Sequence, residues 1–521
     1  MRPRSWRILA LVMALFGCAR PPAVSPLPEM AFDRPEETEA GQRFAPRLAA
    51  HPGDSAIYSL SSGLDAFAAR MLLAEEAERA IDVQYYIFHD DVTGKLLLSN
   101  LIAAADRGVR VRMLIDDLGS PGVDRLLSAA DAHEHLEVRL FNALARGPSN
   151  GLAKVLDLLS RPRQLNHRMH NKMFTADGLM AVVGGRNVGD EYFDAAESVN
   201  FADLDLLVGG PVLPELGECF DRYWNSPFVT PIGSWPRMRG NAELLGEVRA
   251  ELAEHDFEQN TSRYAERVRA ANLVQDVQEG TLDPIWAPTH AYSDYPEKIR
   301  AKGDAIEETL LTRQLGPFVS DAKSEFLVIS PYFIPGDRGV EFFGNAVERG
   351  ARVRILTNSL AATDVPAVHS GYSSYREDLA RAGVELYELK PSSETLMAAQ
   401  SKGVFGSSSA SLHAKSFVVD GEHVFVGSLN LDPRSVDLNT ELGLVVDGPE
   451  LAARQRQAFE RIVSPAVSWR VRLEGEGRGE HLVWEGQEAG EPERYDHDPQ
   501  TSWWGRFKVK LFRILPIEGQ L

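Results

Sequence analysis

Cysteine is nearly absent from this chain. There are two in 521 residues, Cys18 and Cys219, which excludes a scaffold stapled by several disulfides. Basic residues are also scarce beside acidic ones, 55 against 75, for a formal net charge of −20. A protein that coats nucleic acid needs the opposite surplus to neutralise phosphates, so no nucleic-acid partner is expected, although a local basic cleft is compatible with this balance. Apart from Ile8 to Phe16 no long uncharged apolar run occurs, and no transmembrane helix is predicted beyond the N-terminus. With 44% hydrophobic residues the chain can bury a large core, and its length suggests two or more domains.

The N-terminus reads as an export signal. Arg2, Arg4 and Arg7 precede the short apolar run, which is too short to span a bilayer. Leu15-Phe16-Gly17-Cys18 then resembles the lipobox of bacterial lipoproteins, in which the cysteine becomes the acylated first residue; Phe16 departs from the usual small residue. The alternative is an ordinary cleaved signal with an incidental cysteine. The expected location is the bacterial cell envelope, on the periplasmic side, held by a lipid anchor at Cys18. Loss of Cys18 to acylation leaves only Cys219 and no intramolecular bridge. The proline-rich stretch Arg20 to Pro28 reads as a semi-extended tether.

The chain is internally duplicated. Ile81-Asp-Val-Gln-Tyr-Tyr-Ile-Phe88 parallels Leu327-Val-Ile-Ser-Pro-Tyr-Phe-Ile334, and Asp106-Arg-Gly-Val-Arg-Val-Arg-Met-Leu-Ile115 parallels Glu348-Arg-Gly-Ala-Arg-Val-Arg-Ile-Leu-Thr357. These parallels, and a third described below, follow one order at offsets of 246, 242 and 243 residues, which chance similarity of strand-helix-strand units does not explain. Each half reads strand, helix, strand and later a hairpin. The pattern predicts an α/β fold of two α/β/α halves with mixed, mostly parallel sheets around one central active site.

The third parallel carries chemistry. Of 13 histidines only His170 and His413 have lysine two residues later, and both also have aspartate seven later, giving His170/Lys172/Asp177 and His413/Lys415/Asp420. Beyond the aspartates, glycine follows after seven residues (Gly184, Gly427) and asparagine after ten (Asn187, Asn430), with a small residue, Gly185 or Ser428, after the glycine. His-Asn-Lys-Met-Phe and His-Ala-Lys-Ser-Phe read as strands, in which histidine and lysine share a face. Asp177-Gly178 and Asp420-Gly421 have tight-hairpin composition. A metal site of His167, His170 and Asp177 would need a helix instead, and a lysine among the ligands is unhelpful.

Here the sequence resembles the phospholipase D superfamily, over nearly the whole mature chain. The resemblance implies no metal or other cofactor and a covalent phosphohistidine: His170 as nucleophile, His413 as general acid and base. Lys172, Lys415, Asn187 and Asn430 suit the nonbridging phosphate oxygens. The superfamily also orients each histidine with a carboxylate some thirty residues downstream, and the candidates are Asp203 and Glu441. Asp177 and Asp420 are expected to hold their hairpins or to pair with a lysine rather than react.

The double motif alone fixes only the bond class. At the C-terminus, Trp503, Trp504, Phe507, Leu511, Ile514 and Leu515 fall on one helical face, with Arg506, Lys510 and Arg513 on another, an arrangement suited to a membrane interface or to packing on a core. With this ending the chain resembles bacterial phosphatidyltransferases of the cardiolipin synthase C type. That implies transphosphatidylation between phospholipids, with phosphatidylglycerol and possibly phosphatidylethanolamine as substrates. A hydrolytic phospholipase D, a nuclease and a non-catalytic lipid-binding protein are the alternatives. The expected layout is a signal over 1–18, a tether over 19–50, the first half over 51–241, a connector over 242–301, the second half over 302–470 and a membrane-facing extension over 471–521.

Overall fold

The structure is a computed structural model that describes residues 27–144, 166–197, 199–256, 259–300, 309–391 and 410–513. Cys18, the expected signal, Ile514 and Leu515 lie outside the described residues.

The first half supplies strands β1 (Ser55–Leu60), β2 (Ala80–Tyr85), β3 (Arg110–Asp116), β4 (Leu136–Phe141), β5 (Met173–Ala176), β6 (Met180–Gly184), β7 (Asn200–Ala202), β8 (Asp205–Gly209) and β9 (Val229–Pro231). Two more, β10 (Ile285–Ala287) and β11 (Thr289–Ser293), come from the expected connector. The second half adds β12 (Glu325–Ile329), β13 (Arg352–Asn358), β14 (Glu385–Leu389), β15 (Ala410–Leu412), β16 (Ser416–Val419), β17 (His423–Gly427) and β18 (Leu442–Asp447). Strands β19 (Ser468–Glu474), β20 (His481–Glu488) and β21 (Glu491–Tyr495) close the list.

The duplication read from the sequence is visible in the strand order. One sheet runs β10-β1-β8-β6-β5-β2-β3-β4-β9, the other β11-β18-β17-β16-β12-β13-β14-β19-β20-β21. The block β8-β6-β5-β2-β3-β4 repeats as β18-β17-β16-β12-β13-β14. Within each sheet the parallel pairing is confined to three strands, β2-β3-β4 and β12-β13-β14. These carry Val111, Met113 and Ile115 or Val353, Ile355 and Leu356, all buried, as fits parallel strands covered on both faces. The motif strands join them antiparallel through tight hairpins.

Those hairpins form as their composition predicts. Asp177 and Gly178 both take positive φ (54° and 57°), as do Asp420 and Gly421 (53° and 69°), the left-handed backbone that a type I′ turn requires. The motif aspartates then tie each turn to a neighbouring strand. Asp177 accepts from the backbone N–H of Glu78, Arg79 and Ala80 at 2.7–2.8 Å, and Asp420 from Lys323, Ser324 and Glu325 at 2.7–3.1 Å. Neither pairs with the motif lysine, which lies five residues back and so about 16 Å away along extended chain.

The hairpin strands of the two sheets pack against each other. Val183, Leu206 and Val208 from one half share a core with Val424, Val426 and Leu444 from the other, so the halves are joined by apolar burial as well as by chain. Residues 242–301 do more than connect: Val248, Leu252, Tyr264 and Leu273 are buried in the first-half core, and β10 and β11 then edge one sheet each.

Four helices matter below: α1 (Val92–Asp106) and α2 (Pro366–Tyr372), then α3 (Arg376–Arg381) and the C-terminal α4 (Trp503–Phe512). Helix α4 packs on α2 through buried Val509, and just before it Asp498 meets Arg376 of α3 at 2.9 Å. Its aromatic face stays outward: Trp503, Trp504, Phe507 and Leu511 are 60%, 64%, 44% and 51% exposed. No helix among the described residues is long and apolar enough to cross a membrane.

Removal of one motif carboxylate tests the turn-tying role. Asp177→Ala strands three backbone donors, one buried and two part-buried, and it should cost about 2–4 kcal/mol of stability, read as a lowered urea midpoint with an unchanged slope. The half-exposed Asp420 should cost less when replaced by alanine.

Candidate active site

Each motif histidine sits just before its hairpin, where the chain is extended but pairs with the opposite half. The N–H of His170 donates to Thr440 O at 2.8 Å, and Met169 bridges Thr440. Likewise the N–H of His413 donates to Ala202 O at 2.8 Å, and β15 lies parallel to β7 with Leu412 opposite Ala202. The sheet strands proper begin only after each lysine, because the backbone of the histidine segment is engaged across the interface.

This crossing decides which carboxylate meets which ring. The resemblance implied that each histidine is oriented by the carboxylate downstream of it, Asp203 for His170 and Glu441 for His413; the structure exchanges them. His170 Nδ1 is 2.9 Å from Glu441 of the second half, and His413 Nδ1 is 2.5 Å from Asp203 of the first. Both carboxylates are fully buried. Spacing along the chain cannot reveal an exchange across a two-fold arrangement, since each carboxylate keeps its sequence position in either case.

The small residue shared by the two motifs now has a reason. A Cβ on Gly185 would stand 2.1 Å from Asp203 Oδ1, so only glycine admits that carboxylate. Ser428, its counterpart, donates to Glu441 Oε2 at 2.5 Å. The residue before each histidine is also gripped in both halves: the N–H of Met169 donates to Asp116 at 3.0 Å, and Asn358 both accepts from Leu412 N and donates to Leu412 O at 3.0 Å. Asp116 and Asn358 were not singled out from the sequence, yet they follow directly on its closest parallel, 242 residues apart.

Burial and charge set the protonation of the group. Burial lowers His170 to about 4, with Glu441 opposing and Lys172 adding to the fall. His413 is lowered by burial and then by Lys415, against Asp203. Burial alone would raise the acids, but His413 and Lys415 draw Asp203 below its ordinary range and His170 and Lys172 do the same to Glu441. An ionised carboxylate only accepts, so each Nδ1 carries the proton and each neutral ring has its lone pair at Nε2.

The lysines are buried beside the same rings. Lys172 Nζ donates to His170 O at 2.5 Å, and Lys415 Nζ to His413 O. Burial depresses Lys172 to about 7 and Lys415 to about 8. Each lysine bears on the histidine of the other half, Lys415 on His170 and Lys172 on His413, so the two motifs share one electrostatic site.

The asparagines differ from each other. Asn187 accepts from Ile87 N at 3.2 Å and donates to Tyr192 Oη at 3.0 Å, whereas buried Asn430 has an Oδ1 without a partner among the described residues. Sequence reasoning missed the aromatic lining. Tyr86 stands edge-on to His170 at 5.2 Å, while Tyr192, Phe201 and Tyr332 surround His413 at 5.3, 5.0 and 6.4 Å. Tyr86 and Tyr332 occupy one position of the duplicated strand, a signal that was available. Asp432, fully buried and raised by burial to about 7, has no counterpart in the first half, where Gly189 stands 243 residues earlier. His89, Asp91 and Glu191 gather nearby, but Asp91 caps α1, accepting from Gly94 N at 2.9 Å, and also accepts from Asp190 N at 2.8 Å.

Comparison with known proteins agrees with this geometry. Residues 72–224 and 317–463 match the family described as "Cardiolipin synthase, PLD-like domain", one segment in each half. Cardiolipin synthase C of Escherichia coli is 42% identical over 476 residues, covering 91% of this chain and 98% of its own length. An uncharacterised Helicobacter pylori protein is 30% identical over 96% of both chains. Among solved structures, a phosphatidylserine synthase from Haemophilus influenzae aligns with a TM-score of 0.56 at 13% identity, over 92% of this chain and 99% of that one, a likeness of fold. The chain belongs to the cardiolipin synthase, PLD-like domain family of the phospholipase D superfamily.

Proposed function

We propose that this protein makes cardiolipin by transphosphatidylation, moving a phosphatidyl group from one phospholipid to the terminal glycerol hydroxyl of phosphatidylglycerol. The observation that carries the chemistry is the exchanged pair of imidazole–carboxylate contacts. Each Nδ1–H is committed to a buried anion, so two Nε2 atoms remain for reaction. The near full-length similarity to cardiolipin synthase C of Escherichia coli supports the lipid substrates.

In this reading the phosphodiester anion binds between Lys172 and Lys415, with Asn430 beside it. Low basicity from burial keeps His170 neutral, and its Nε2 attacks phosphorus. The P–O bond to the departing headgroup breaks as His413 Nε2–H gives that oxygen a proton; the anion's charge beside His413 favours the protonated ring that this step needs. The product is a phosphohistidine at His170. The incoming hydroxyl then loses its proton to His413, its oxygen bonds to phosphorus and the P–N bond breaks. Asp203 and Glu441 fix tautomer and orientation throughout. Asp177 and Asp420 act on the fold alone.

The same reading places the protein at a membrane surface, in the bacterial cell envelope on its periplasmic side, with Cys18 acylated. Helix α4 supports it: four exposed apolar side chains, three of them in mutual aromatic contact, share a segment with Arg506, Lys508, Lys510 and Arg513 and no acid. In a chain of net charge −20, such a patch suits anionic lipid headgroups.

Four outcomes are expected. Wild-type protein with labelled phosphatidylglycerol, with and without phosphatidylethanolamine, should yield cardiolipin; predominant phosphatidic acid would establish a hydrolase. Quenching of His413→Ala in alkaline denaturant, where a phosphohistidine survives, should trap a phosphoenzyme that His170→Ala never forms; the reverse pattern exchanges the two roles. Glu441→Gln should slow phosphoenzyme formation, and Asp203→Asn both its formation and its breakdown, each by about 10²- to 10⁴-fold, the scale of losing an orienting carboxylate elsewhere. Finally, kcat/KM should fall on the alkaline side between about pH 7 and 8, because Lys172 and Lys415 lose the charge that holds the phosphodiester there; a flat profile up to pH 9 would contradict their role.

A further inference from the structure

The duplicated site is not symmetric in charge, and one difference stands directly over the reacting groups. Tyr86 and Tyr332 are equivalent in the repeat, 246 residues apart. Each ring turns an edge to its histidine and lies under its lysine, with Lys172 Nζ 5.7 Å from Tyr86 and Lys415 Nζ 6.0 Å from Tyr332. Their surroundings then diverge. In the first half the loop after β3 runs Asp117-Leu118-Gly119-Ser120-Pro121-Gly122; its one acid, Asp117, is buried and accepts from Leu144 N at 2.6 Å, and the loop presses Gly119 onto Tyr86, where a Cβ would meet Tyr86 O at 2.1 Å. In the second half the loop after β13 delivers Asp364, exposed at the rim, and Tyr332 Oη donates to Asp364 Oδ2 at 2.6 Å.

That contact makes Tyr332 and Asp364 a hydrogen-bond-accepting edge. The only phenolic proton is spent on the carboxylate, so Tyr332 Oη offers lone pairs and Asp364 Oδ1 accepts as well. The edge lies on the His413 side of the site, and the negative charge of Asp364 is felt at Lys415 and at Tyr192. We propose that the Tyr332–Asp364 pair selects the acceptor alcohol, taking a hydrogen bond from a second, non-reacting hydroxyl of a polyol headgroup while His413 deprotonates the first. This rests on the transferase reading. A polyol anchored there holds its reacting oxygen over phosphorus, where a water molecule has one oxygen and no second anchor, so the pair favours transfer over hydrolysis.

The test uses full-length protein, an unlabelled phosphatidylglycerol vesicle substrate, and isotope-labelled glycerol, propan-1-ol or ethanolamine as soluble acceptors, so that the transfer product carries a label the vesicle lipid lacks. The readout is the ratio of transfer product to phosphatidic acid for each, a quantity that does not depend on how much of a variant is folded. Wild type should favour glycerol over propan-1-ol, and Asp364→Asn and Tyr332→Phe should each cut the glycerol ratio about tenfold, the scale of one hydrogen bond to a charged group, while moving the propan-1-ol ratio little. Tyr86→Phe, on the opposite side, should leave the preference between the alcohols in place. Equal ratios in wild type and both variants would overturn the assignment and leave the transferase reading standing. Loss confined to ethanolamine would make the edge an ammonium site and overturn the polyol assignment. A wild-type enzyme that releases phosphatidic acid alone, whatever alcohol is present, removes both.

Discussion

Everything in this candidate active site depends on two imidazole–carboxylate contacts that cross between the halves, His170 with Glu441 and His413 with Asp203. Each contact settles a tautomer, aims a ring and draws an acid below its ordinary range. Each also needs the other half in register, because the carboxylates sit beside the very backbone segments that pair across the interface, at Thr440 and Ala202. Fold and chemistry are therefore specified by the same few hydrogen bonds. The apolar core shared by the hairpin strands supplies the burial that makes those bonds strong.

The buried ionic group formally balances, two lysines against two carboxylates, with two neutral rings among them. Such a set is tolerable inside a protein only when every member is paired, since an isolated buried charge is costly. The lysines illustrate the tension: burial brings both near neutrality, and a bound anion would restore their charge. Anion binding and lysine protonation would thus be linked, each favouring the other.

Much of this was legible in the sequence, and the illegible parts have physical reasons. The repeat, both motifs, the hairpin turns and the small residue at 185 and 428 are local patterns, fixed by chain spacing and backbone geometry. The exchange of Asp203 and Glu441 is a property of how two similar surfaces meet, and two surfaces related by a two-fold look identical whichever partner each one takes. The dominance of antiparallel pairing outside the central three strands follows from the hairpins, whose turns were readable although their neighbours were not. The edge strands β10 and β11 were missed because Ile285–Ala287 and Thr289–Ser293 are short and sit among proline and charged residues, with no long alternation to mark them. Asp364 and Asp432 were invisible for another reason: they break the repeat, and a search for what the halves share passes over what only one of them has.

The exchanged carboxylates also bear on how such a chain arose. A lone copy of either half would hold a histidine without its orienting acid and an acid without its histidine, so a one-motif ancestor of this arrangement would complete its centre only as a homodimer, with two identical chains lending each other a side chain. Fusing such chains into one would make the lending permanent and free each copy to diverge. The loop that brings Asp364 to Tyr332 on one side and the glycine-rich loop on the other are differences that an obligate symmetric pair, built from a single gene, has no means to encode.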